Sequence, residues 1–280
     1  MITTTFLDSV NSALDMDGVK AIATFRTGNN GTTREGVSLE GVTVSPVVYV
    51  DDNMTPEQVA DVLKLHMEEG KRFEGFMDDL SHDNILSHVF PQLVAWNEDN
   101  KEFLQGKVYT PFKKDLVVLF RYVVSLDSDG LQSIVIPSEW LEAYNLTVAD
   151  LYDASIEYVN ANYTLKGMAE MMAELLGCDE DDIRAMSGDV KLLISSNQHV
   201  VYGASAIISH DILNDVHDKL GDFFIIPSSV HEVLLLPVND GGEAEAMADM
   251  IKAVNTEHVA PNEVLGNHAY RYDGYQVVDA

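Results

Sequence analysis

Ser228-Ser229-Val230-His231-Glu232 sets two hydroxyls, an imidazole and a carboxylate between the apolar runs Phe223–Ile226 and Val233–Leu236. A serine nucleophile needs such an imidazole as its base, with an orienting carboxylate and an oxyanion hole. In an extended segment Ser229 and His231 share one face, roughly 6.5–7 Å apart along the strand, so Ser229 can approach the His231 ring. Ser228 and Glu232 then take the opposite face, and Glu232 is badly placed to orient its own neighbour. Ser229 and His231 are therefore the candidate catalytic pair. The competing reading is a bend between two strands, with Pro227 fixing φ and the serine hydroxyls satisfying backbone groups.

Other chemistries are weaker. Nine histidines are present, but none falls in a His-Glu-x-x-His pattern, and His210 and His217 are too far apart to share one ion. Asp15-Met16-Asp17-Gly18 and Asp127-Ser128-Asp129-Gly130 imitate the start of a calcium loop, yet Arg26 and Ser138 stand where the closing Glu belongs. No metal site is expected. Phosphate-binding glycine loops and the G-x-S-x-G elbow are absent, and no cofactor is implied. The single cysteine, Cys178, permits no intrachain disulfide. Its neighbours Asp179-Glu180-Asp181-Asp182 oppose thiolate formation. The stripe Met168, Met171, Met172 and Leu175 reads as core more readily than as a partner-binding face.

Charge sets the broadest limits. The chain has 280 residues with 46 acidic against 17 basic side chains, a formal net charge of -29. Residues 1–140 carry 22 acidic and 11 basic, and residues 141–280 carry 24 and 6. Direct binding to DNA, RNA or anionic lipid needs clustered Lys and Arg, so these partners are excluded. Solubility, docking to a basic protein partner, and mimicry of nucleic-acid charge remain. No apolar run is long enough to span a membrane, and Met1-Ile2-Thr3-Thr4-Thr5 is no signal peptide, so a cytoplasmic setting is expected.

The elements that must position these groups are mixed. Helical spacing marks Phe6–Leu14. Val19–Arg26 and Arg34–Leu39 flank the Gly28-Asn29-Asn30-Gly31 turn as a hairpin, with Val42–Val50 as a third strand. Thr55-Pro56-Glu57-Gln58 opens a helix that Gly70 should end. Further helices are expected at Asn84–Val89, Pro91–Leu104, Ser138–Tyr144, from Thr147, Met168–Leu176, His210–Leu220 and Glu243–Val254. Asp115–Val124 and Leu131–Ile136 form a hairpin, Val190–Ser195 and Val200–Ala206 a second, and Tyr270–Val278 a terminal one. The expected fold is α+β, antiparallel β-hairpins packed with helices. A boundary is placed between residues 1–110, a helix, small meander and helices, and 111–280, an α+β domain; a single domain is the alternative.

Three blocks carry a family resemblance: Val201–Ala206, Leu220–Pro237 and Val264–Asp273. Phe90–Leu104, Asp115–Tyr122 and Trp140–Ala154 extend it, so that about residues 55–273 are covered. Together they resemble domain-of-unknown-function family 5688, found in gut anaerobes and their mobile elements. That family has no assigned activity, so no catalytic role transfers. The resemblance implies a bacterial or phage-like cytoplasmic setting and an accessory role. Tyr202 and Arg271, lying in these blocks, join Ser228 and Glu232 as candidate binding residues. The leading expectation is a non-enzymatic module that binds a basic protein partner. The alternative is a hydrolase-like enzyme using Ser228–Glu232.

Overall fold

A computed structural model describes residues 2–42, 45, 47–51, 53–74, 79–127, 130–187, 191–241 and 244–280. The Thr3 side chain caps α1 (Thr4–Leu14) by accepting from the Phe6 N–H. The strands β1 (Lys20–Thr27) and β2 (Thr33–Glu40) pair antiparallel from Lys20↔Glu40 to Thr27↔Thr33. Their turn, Asn29–Gly31, needs left-handed backbone at Asn30 and Gly31, which Asn tolerates and Gly accepts freely. The third strand, β3 (Val47–Tyr49), is shorter than expected; residues 43, 44 and 46 lie outside the described set.

Thr55 and Gln58 cap α2 (Pro56–Glu74) reciprocally: each side chain accepts from the other's backbone N–H. The helix runs through Gly70, where the sequence suggested a stop. An interior glycine costs about 1 kcal/mol relative to alanine, too little to end a helix that buries Val59, Ala60 and Leu63 beside Val10 and Leu14 of α1. At Ala21, α1 caps the far edge of β1. Asn11 Oδ1 accepts the Ala21 N–H at 2.7 Å while its Nδ2 donates to the Ala21 carbonyl at 3.2 Å.

After α3 (His82–His88) comes β4 (Val89–Ala95), where a helix from Pro91 was expected. Six of its seven residues are buried, and it pairs residue for residue with β6. A run buried on both faces has neither period, so spacing cannot separate strand from helix. Pro91 is tolerated because β4 ends the sheet order. A 3-10 turn at Glu98–Asn100 and the helix α4 (Lys101–Leu104) are all that remains of the expected one. The strands β5 (Tyr109–Lys113), β6 (Leu116–Asp127) and β7 (Gly130–Val135) complete a four-stranded antiparallel sheet; residues 128 and 129 of the expected turn are outside the described set. Thus β4, before residue 110, pairs along its whole length with β6, after it.

Short α5 (Glu139–Ala143) precedes α6 (Val148–Asn162), which opens on a Thr147–Asp150 capping box. Then come β8 (Tyr163–Gly167), α7 (Met168–Leu176), α8 (Glu180–Ser187) and β9 (Leu193–Asn197). The expected partner strand Val200–Ala206 does not form. Gly203–Ile208 is instead a wholly buried 3-10 segment, and β9 pairs with β8 and β11. A Cβ on Gly203 would overlap Ser196 Oγ and would sit 2.6 Å from the Asn197 nitrogen and the His231 carbonyl oxygen. The backbone approach is too close for any other residue.

The chain continues through α9 (His210–Leu220), β10 (Phe223–Pro227), β11 (Val233–Pro237), α10 (Val238–Gly241), α11 (Ala244–His258), β12 (Tyr270–Tyr272) and β13 (Val277–Asp279). A six-stranded antiparallel sheet results, in the order β13-β12-β10-β11-β9-β8. Phe223 and Ile225 face one core, and Phe224 and Ile226 face α11 through Met247 and Ile251. The strand is apolar throughout because both faces are covered. The first core is continuous with Leu93, Val118 and Phe120 of the four-stranded sheet and with α6, α9 and the 3-10 segment. The fold is α+β with antiparallel sheets.

The N-terminal sheet keeps its own core but is tied on by its turn. Asn30 Nδ2 donates to the Pro261 and Val264 carbonyls at 2.9 and 2.7 Å. Asn100, fully buried, accepts the Asn30 N–H at 2.6 Å and donates to Asn30 Oδ1 and the Ala95 carbonyl.

Candidate functional site

The Ser228–Glu232 segment is a bend, not an extension of the strands. Pro227 pairs with Val233 across the hairpin, and the Ser229 N–H donates to the Glu232 carbonyl at 3.2 Å. Ser229 Oγ accepts the His231 N–H at 3.0 Å. Ser228 Oγ donates to Glu232 Oε1 at 3.3 Å, so these two meet. Val230 is buried, its N–H bound to the Glu263 carbonyl at 2.8 Å.

The His231 ring is held by other elements. Its Nδ1 accepts the Tyr202 N–H at 3.2 Å, which leaves the proton of the neutral ring on Nε2, 3.7 Å from Glu263 Oε1. The ring stacks on Tyr202, with centroids 5.7 Å apart and planes 20° apart. The Arg121 guanidinium lies 5.0 Å from the same tyrosine ring. Arg121 is satisfied by Gln92 Oε1 and Ser133 Oγ, and burial pulls its pKa down. The imidazole's carboxylate neighbour is therefore Glu263, which no local spacing pointed to. Among the described residues, no hydrogen bond joins Ser229 Oγ to the ring.

Arg271 stands apart from this group. It lies on β12 opposite Phe224, near the start of β10, and donates to Asp222 Oδ2. His217 Nε2 contacts the other Asp222 oxygen at 3.2 Å. The hydrogen bond from Arg271, then that from His217, holds the Asp222 carboxyl below its usual range. Of the candidates, Ser228, Ser229, His231, Glu232 and Tyr202 come together and Arg271 does not.

A different cluster joins the two large sheets. His268 Nε2 lies 2.7 Å from Asp115 Oδ2, and the Tyr270 hydroxyl donates to Asp115 Oδ1 at 2.8 Å. Burial alone would raise Asp115, but the two hydrogen bonds and the imidazolium outweigh it and bring the carboxyl down. The Asp115 hydrogen bond pushes His268 up to about 9, against the opposing effect of burial. Burial and the Asp115 charge push the Tyr270 phenol far up. Imidazolium and carboxylate are both fixed at neutral pH, which makes the cluster a clamp and gives it no poised base. Both ionic groups border a cleft of about 630 Å³, which Trp96, Asn97, Lys252 and Asn267 also line.

The α7–α8 hairpin rises from the edge strand β8. Glu170 reaches back to the Gly167 N–H, and Gly177, at φ 66°, ends α7. Ala173 and Ile183 are buried, but Leu175 and Leu176 are 78% and 61% exposed and Met186 is 86% exposed. The apolar stripe expected to be core is thus partly open at its C-terminal end. Asp179, Glu180, Asp181 and Asp182 adjoin it, with Glu180 paired to Arg184 at 2.6 Å. The exposed Cys178 sits in the same loop.

Among the described residues no helix is long and apolar enough to cross a membrane. No group of three or more His, Cys, Asp or Glu side chains among them could hold a metal ion. No curated protein and no solved structure matches the chain. The model of one family, described as a family of unknown function (DUF5688), matches residues 3–274, and the chain belongs to that family.

Proposed function

We propose that the protein is an acidic docking module that holds a basic, amphipathic segment of a partner protein on its α7–α8 hairpin. The observation that carries this reading is the exposure of Leu175 and Leu176, just before the run Asp179–Asp182, and of Met186, one turn after it, in a chain of net charge -29. Large exposed apolar side chains are what interaction surfaces use, and methionine adapts to varied partners. A helix with Leu on one face and Lys or Arg on its borders satisfies both features. Mimicry of nucleic-acid charge would use the carboxylates alone and leave the apolar group without a purpose. A bacterial cytoplasm is the setting this reading assumes.

A hydrolase using Ser229 and His231, with Ser228, Glu232 and Tyr202 around them, has less support. The Ser229 hydroxyl already accepts a backbone N–H, and His231 Nδ1 is taken by Tyr202. Loss of any ester hydrolysis in the Ser229→Ala, His231→Ala double variant would revive it.

Titration with a fluorescent amphipathic helical peptide of Leu and Lys tests the docking reading. Binding is expected at low salt and should weaken as salt screens the carboxylates. Replacing Leu175, Leu176 and Met186 by Ser should weaken it roughly a hundredfold, about 3 kcal/mol. No binding at low salt, or equal binding by the triple variant, rejects the reading.

A further inference from the structure

The cleft beside Trp96 combines features that the docking reading does not use. Its volume of about 630 Å³ lies in the range of small-molecule sites. Its walls come from three parts of the fold: the Asn30 turn, the segments around Trp96 and Asp115, and α11 with the loop that follows it. Those walls are braced. Asn30 is bonded to Asn100, Pro261 and Val264, and Asn255 Nδ2 donates to the Gly266 carbonyl and to Asn267 Oδ1. A site held this firmly loses little freedom when it binds.

The lining selects a ligand class by charge and by shape. The chain has two tryptophans; Trp140 is 7% exposed, but Trp96, at the cleft, is 42% exposed. Tyr109, outside the cleft, steadies its indole at 5.8 Å. Asn97, Asn267 and Thr256 offer neutral donors and acceptors around this indole. The charges cancel: His268 neutralises Asp115, and Lys252, with no ion-pair partner among the described residues, balances Asp99. A neutral cleft in so acidic a protein gives an anionic ligand little to offset the long-range repulsion. A planar base is gripped best between two parallel flat surfaces; the second ring at the cleft, the His268 imidazole, is tilted against Tyr270 and bound to Asp115.

The geometry points to a binding site for a neutral saccharide, its apolar C–H face on the Trp96 indole and its hydroxyls among the Asn97, Asn267 and Lys252 side chains. The site is independent of the α7–α8 hairpin, so each reading can fail without the other.

Tryptophan fluorescence reports on it directly, because acrylamide reaches exposed Trp96 far more readily than buried Trp140. The probes are a panel of neutral mono- to tetrasaccharides including glucose, N-acetylglucosamine and cellobiose, with glucose phosphate and adenosine as rivals. At least one neutral saccharide should protect Trp96 from quenching in a saturable way and bind roughly tenfold more tightly than glucose phosphate. In calorimetry, Trp96→Ala should abolish that binding, Trp96→Phe should retain part of it, and Lys252→Ala should weaken it roughly threefold. Circular dichroism confirms that each variant is folded, and Trp140→Phe should leave the response intact. The proposal is overturned if no saccharide binds more tightly than about 10 mM, if adenosine is preferred, or if binding survives in folded Trp96→Ala.

Discussion

His268 and Asp115 meet across the seam between the two large sheets, and their protonation makes that seam sensitive to pH. The folded imidazole holds its proton to about pH 9, against an ordinary value of 6.5. Its stabilising effect is therefore full below pH 6.5 and disappears as pH rises through 9. Asp115 acts in the opposite sense: its effect is present above its ordinary value of 3.8 and is lost as acid protonates it. The side chains are 37% and 36% exposed, so solvent screening limits the pair to roughly 1 kcal/mol. The melting temperature of His268→Ala should fall furthest below wild type near pH 5 to 6 and converge with it by about pH 10. A deficit that grew with pH would show that the imidazole is not the protonated partner. This cluster was not legible in the sequence, since Asp115 and His268 are brought together only by the docking of two sheets. The Ser228–Glu232 segment was legible as a polar insert between strands. Its real neighbours, Tyr202 and Glu263, were not, because each arrives from a distant element.

Elements declared themselves where local chemistry is strong. Thr55 with Gln58 and Thr147 with Asp150 mark helix starts by capping, each worth about 1 kcal/mol, and both pairs bond as their spacing suggests. The hairpin of β1 and β2 followed from alternation and its Asn-rich turn. What failed was apolar sequence without a period: β4 read as helix, and Val200–Ala206 read as strand where Gly203–Ile208 forms a 3-10 segment, because burial on every side erases the difference between inward and outward positions. The edge of β1 shows a subtler device. With Ala21 occupied on both its donor and its acceptor by Asn11, a second chain cannot pair there. Asn11→Ala should cost about 1 kcal/mol in urea unfolding and should raise light scattering on warming. An unchanged scattering onset would mean that α1 itself, and not this side chain, guards the edge.

For the molecule as a whole, charge and attachment are separate matters. The excess of carboxylates gives the chain a formal net charge of -29, but it does not hold the parts together. That is done by the amide contacts at Asn30 and Asn100. Removing the Asn100 side chain leaves buried backbone and side-chain groups unpaired, at a cost of about 2 kcal/mol. In Asn100→Ala, hydrogen exchange should accelerate at Asn30 and in the turn around it while β6 stays protected; acceleration everywhere would mean that the contact supports the global fold and not the attachment alone. The same contact constrains the order of events during synthesis. Asn30 bonds to residues 231 and 234 positions later in the chain. At a translation rate of about 5–20 residues per second, the N-terminal sheet waits on the order of ten to fifty seconds for the last of its partners to be made. Over most of that interval Asn100, 70 positions after Asn30, is already made, and the two C-terminal carbonyls are what the turn still lacks.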